Sequence, residues 1–136
     1  MKKITLILTI AICAVTISAQ CKFDPEKFKA ELKHHIIATA HLTDKEAARF
    51  FPLFEEMQNK QRNIHQRIRQ LQKTKPANDA KARNIIIQTD NLRIQKKQIE
   101  QQYHNKMMKL IPATKLNEAL KAERRFHKQY FKNVAK

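Results

Sequence analysis

The fold is decided by one stretch, residues 42–110, LTDKEAARFFPLFEEMQNKQRNIHQRIRQLQKTKPANDAKARNIIIQTDNLRIQKKQIEQQYHNKMMKL. Thr43 followed three residues later by Glu46 is a capping box, in which hydroxyl and carboxylate each take an orphan N–H of a helix start. Phe50, Phe54, Met57, Gln61, Ile64, Ile68 and Leu71 then alternate by three and four, the spacing of a long helical seam. Pro52 falls inside this run and removes a backbone hydrogen bond, so a bend is expected there. The run stops around Lys75-Pro76. A second begins near Asn78-Asp79 and reaches about Leu110, with Ile85, Leu92, Ile99, Tyr103, Met107 and Leu110 on one side. Each helix spans roughly 45–50 Å at 1.5 Å per residue. The link Thr74-Lys75-Pro76-Ala77 is too short for anything but an antiparallel turn. The stretch predicts a long helical hairpin.

Outward from it, two more helices can be read. Asp24-Pro25, a capping carboxylate with proline in the first turn, opens a helix carrying Phe28, Leu32 and Ile36 as far as about His41. Ile111-Pro112 opens the last, which carries Leu116, Leu120, Phe126, Tyr130 and Val134. No stretch reads as a strand, so the fold class is all-α with four helices. A hairpin this thin cannot bury its own seam. The flanking helices or a second copy must cover it, and a homodimer is expected.

Composition narrows the function. The chain has 136 residues and no Gly, which counts against phosphate-cradling loops, dinucleotide fingerprints and nucleophile elbows. Residues 1–20 read as a cleaved secretory leader: a basic Met1-Lys2-Lys3, an uncharged Ile4–Ser18 and small residues at Ser18-Ala19. The uncharged run is shorter than a membrane span requires, so the protein is not expected to cross a bilayer. Cys21 invites a lipid anchor, but Gln20 directly before it and Ser18 three before depart from the usual acylation pattern. The domain is then residues 21–136, placed in the periplasm.

The formal charge is +16, and about +14 without Lys2 and Lys3. Outside the inner membrane nucleic acid is not the available polyanion. Acidic client proteins and anionic lipid or lipopolysaccharide surfaces are the candidate partners, drawn in by a surface of one sign.

No arrangement of residues supports catalysis, and no cofactor is expected. Glu55 and Glu56 are adjacent and point to different sides of a helix. The six histidines, His34, His35, His41, His65, His104 and His127, include no pair three or four apart, so no metal site is assigned. Met107-Met108 near His104 leaves a soft-metal alternative open. The aromatic run is different. Phe50, Phe51 and Phe54 with Leu53 span more than one helical face, so part of this surface is expected to remain open. Arg49, Lys60, Arg62, Arg67 and Arg69 border it. The expected contacts for unfolded clients are Arg49, Phe50, Phe51, Phe54, Met57, Arg62 and Arg69.

Two short segments carry a resemblance. Leu42-Thr43-Asp44-Lys45-Glu46 and Ile111-Pro112-Ala113-Thr114-Lys115 stand where the Spy/CpxP family of exported helical proteins carries a paired Leu-Thr-x-x-Gln motif. The chain resembles that family from Phe23 to about Val134. Glu46 and Lys115 replace the two glutamines, and Pro112 replaces the second threonine. The resemblance implies a cradle-shaped four-helix dimer that binds unfolded clients without ATP. For some relatives it implies envelope-stress signalling or zinc or copper binding instead.

Overall fold

A computed structural model describes residues 23–134. The expected leader and Cys21 lie outside the described residues. Four helices follow one another: α1 (Pro25–Ala40), α2 (Asp44–Lys73), α3 (Asp79–Met108) and α4 (Ala113–Val134). Among the described residues there is no strand, and no helix is long and apolar enough to cross a membrane.

The starts are set by local chemistry. Asp24 accepts the N–H groups of Glu26 and Lys27 at 3.0 and 3.2 Å, with Pro25 in the first turn of α1. Asn78 accepts the N–H of Lys81 at 2.9 Å and starts α3. α1 ends without glycine: His41 takes the left-handed conformation, φ 50° and ψ 47°. The Leu42 N–H then closes back on the Ile37 carbonyl at 3.2 Å, and the Leu42 side chain is buried. α2 runs unbroken through Pro52, which is exposed together with Ala48, whose carbonyl loses its N–H partner.

α2 and α3 form the antiparallel hairpin, and α1 and α4 pack together against its base. Phe28, near the start of α1, meets Phe126 and Tyr130 near the end of α4 at centroid distances of 5.4 and 4.7 Å, so this pair is antiparallel too. The main core takes Leu32 and Ile36 from α1, Phe50, Phe54 and Met57 from α2, Tyr103 and Met107 from α3, and Leu116, Ala119 and Ala122 from α4. Ala119 and Ala122 have no exposed area, and their small side chains let α4 approach closely. Beyond the base, only α2 and α3 cover a second, smaller cluster of Ile64, Ile68 and Leu92. Leu110 departs from its expected place. α3 ends at Met108, the turn leaves Leu110 exposed, and Ile111 is buried instead.

Candidate functional site

The two motif segments, 69 residues apart in sequence, meet in space. The Glu46 N–H donates to Thr43 Oγ1 at 3.2 Å, and the Thr43 N–H donates to Glu46 Oε2 at 2.9 Å, which completes the capping box. The same Oε2 accepts from Lys115 Nζ at 2.6 Å. The two positions that depart from glutamine are thus charge-complementary partners joining the starts of α2 and α4. The Lys115 ammonium, and next the Thr43 backbone N–H, hold the Glu46 carboxyl below its ordinary value. Leu42 and Ile111 are buried on either side, while Pro112 is exposed and its carbonyl accepts the Leu116 N–H at 3.0 Å. Nothing reactive lies here. It is a joint between helix pairs.

The aromatic run corrects an expectation. Phe50, Phe51, Phe54 and Met57 are 0, 4, 2 and 3% exposed, and all belong to the main core. α2 buries more than one face because α1 and α4 pack on it beside α3. Phe51 faces α1, where Lys33 Nζ lies 4.7 Å from its ring. The crevice beside Phe51 and Phe54 has a volume of about 20 Å³, too small for a peptide side chain to enter. These four residues offer no surface to a client. Arg49, Arg62 and Arg69 are exposed as expected, so the charge is present without the neighbouring rings.

The acids are largely engaged. Nine carboxylates lie within ion-pair distance of a Lys or Arg, and Glu123 lies 3.9 Å from His127. Asp24 caps α1, and Asp44 occupies the first turn of α2. Glu55 and Glu56 pair with Lys33 and Lys60, on different sides of α2. Such exposed pairs add little stability. Their effect on the field is to leave the excess cations unopposed. From Met57 to Asn78 the chain carries Lys60, Arg62, Arg67, Arg69, Lys73 and Lys75 and no carboxylate. This segment is the outer part of the hairpin, and across its turn Ile86 and Ile87 are 61 and 52% exposed.

α3 holds a second seam. Asn84, Ile87, Asn91, Ile94, Gln98, Gln101, Asn105 and Met108 alternate by three and four, and every one is exposed and uncharged. They lie on the side of α3 away from Thr89, Leu92, Tyr103 and Met107, which are buried. An open trough of about 800 Å³ runs along it, lined by Ile94, Gln98, Gln101, Asn105 and Met108 and edged by Arg93, Lys97, Glu100 and His104. A count of apolar side chains overlooks this seam because most of it is amide. The signal in the sequence is the absence of charge at that spacing in a helix otherwise dense with it.

Met107 is fully buried and Met108 is 46% exposed, so the two sulfurs do not face a common site beside His104. Among the described residues no group of three or more His, Cys, Asp or Glu side chains comes together. No protein-family model matches the chain, and no curated protein and no solved structure matches it.

Proposed function

We propose that the protein is an ATP-independent periplasmic chaperone of the Spy/CpxP type, a homodimer that holds unfolded or aggregation-prone clients on a basic, partly apolar surface. The observation that carries this reading is the outer half of the hairpin, where α2 carries an acid-free run of cations from Arg62 to Lys75 and α3 leaves Ile86 61% exposed. Long-range attraction brings acidic, unfolded chains to this end, and the aliphatic side chain gives them loose apolar contact. The client contacts are therefore Arg62, Arg67, Arg69, Lys73 and Ile86 rather than the buried phenylalanines. No catalytic step is assigned to the protein.

The outer seam of α3 supports the dimer. Regular steps of three and four over seven turns suit another helix better than an irregular client, and an uncharged face brings no like-charge repulsion against its own copy. Amides with apolar side chains among them let two such faces pair through hydrogen bonds and apolar contacts together. Ile94→Asp is expected to turn a dimer into a monomer in sedimentation without loss of helicity.

The functional test is aggregation of a denatured acidic client across a salt series. Suppression is expected, and it should weaken as salt rises. Arg67→Glu with Arg69→Glu should weaken it further. No suppression at any stoichiometry would overturn the chaperone reading, and suppression indifferent to salt would overturn its electrostatic part.

A further inference from the structure

The free end of the α1–α4 pair holds an aromatic cluster that the client-binding reading does not use. Five of the nine aromatic side chains of the chain gather there: Phe23, Phe28, Phe126, Tyr130 and Phe131. Phe28 is buried and anchors the group, with Tyr130 edge-on at 4.7 Å. The outer two rings are not covered. Phe23 and Phe131 are 48 and 50% exposed and stack on each other with centroids 6.3 Å apart and planes 28° from parallel.

The charge on α4 around them has one sign. From Arg124 to Lys132 α4 carries Arg124, Arg125, Lys128 and Lys132 and no carboxylate. All four are exposed, and none lies within ion-pair distance of an acid among the described residues. Steps of four and three place Arg124, Lys128 and Phe131 on one face, with Lys132 beside them. The acids at the facing start of α1 are already engaged. Asp24 takes two backbone N–H groups of its own helix, and Glu26 pairs with Lys29 at 3.6 Å.

We propose that this end of the molecule docks on an anionic lipid surface. Half-exposed phenylalanines on a helix whose long cationic side chains flank them match the interfacial amphipathic pattern. Rings enter the boundary between headgroups and acyl chains while the ammonium and guanidinium groups stay among the phosphates. Two rings projecting together from the end of a rod can meet a plane at once. Charge complementarity selects an anionic bilayer over a neutral one. This patch and the client-binding end of the hairpin are separate sets of residues, so either proposal can fail alone.

The test is co-sedimentation with vesicles of mixed phosphatidylglycerol and phosphatidylcholine, against pure phosphatidylcholine. The chain from Cys21 to Lys136 is used beside the full chain, so that Ile4–Ser18 does not contribute. It keeps all four helices. Binding to the anionic vesicles alone is expected, weakening with salt. Lys128→Glu with Lys132→Glu, or Phe131→Ser, should lower the partition about tenfold or more while leaving aggregation suppression intact. Arg67→Glu with Arg69→Glu makes the same change in net charge at the other end and should alter vesicle binding by less than about twofold. Thermal melts of each variant separate lost binding from lost folding. The proposal is overturned by absent binding, by equal binding to neutral vesicles, or by loss in the hairpin variant rather than in the α4 variants. Loss of client holding with vesicle binding intact in the α4 variants would overturn it too.

Discussion

The base and the outer half of the hairpin are built from the same two helices and behave as different materials. At the base, α2 and α3 are covered by α1 and α4, and Phe50, Tyr103 and Met107 are 0 to 1% exposed. In the outer half the same seam continues through Ile64, Ile68 and Leu92, yet these stay 5 to 7% exposed, with Leu71 and Ile99 as the partly buried apolar side chains packed against them among the described residues. Periodicity alone does not make a core. The number of helices around the seam decides how dry it becomes, and how much of the surface is left for charge and exposed aliphatics.

The sharpest way to break this contrast is a matched pair of truncations. Phe50→Ala should cost about 3–5 kcal/mol, because a fully enclosed aromatic leaves a cavity that four helices cannot close. Ile68→Ala should cost about 2 kcal/mol, the low end for its type, because two helices can relax onto the gap. Denaturant unfolding measures both, and equal losses would mean that the two regions are one material after all.

A smaller effect tests the joint at the base. Thr43→Ala removes the hydroxyl that accepts the Glu46 N–H and should cost about 1 kcal/mol. The same substitution at Thr74, whose hydroxyl donates to the Gln70 carbonyl at the exposed outer turn, should be close to neutral.

The smallest effect concerns pH. The folded-state Glu46 carboxyl lies below its ordinary 4.5, so the unfolded chain takes up this proton first as pH falls. The pairing with Lys115 is therefore fully present above the ordinary value and is lost as pH drops through the folded one. Lys115→Met should lower stability slightly at neutral pH, where the pair is present, and meet the parent curve at low pH, so that the acid limb becomes shallower. An unchanged acid limb would show that the pair does not couple the helix starts.

Much of this architecture was legible in the residues. Capping chemistry at Asp24, Thr43 and Asn78 located three helix starts, and the three–four alternation from Phe50 to Leu71 identified the buried line of α2. What misled was the aromatic run. Adjacent phenylalanines that span two faces imply either an open face or a helix packed on two sides, and only the positions of α1 and α4 decide between them. Ala119 and Ala122 were equally silent, since alanine carries little pattern until a neighbouring helix is in place. The Glu46–Lys115 pairing joins residues too far apart for spacing to connect. The second seam of α3 was readable but only as missing charge, a weaker cue than greasy side chains.

His41 has one more consequence. The elbow after α1 is held by a non-glycine residue in the left-handed region and by the Leu42-to-Ile37 closure, and the elbow after α3 by Ile111 returning its N–H to the Met107 carbonyl at 3.0 Å. Among the described residues, these two glycine-free, hydrogen-bonded corners leave little freedom to swivel. Shape change in this protein should come from long rods flexing along their length, as a bow does, so that its span adjusts in small continuous increments instead of snapping between two poses.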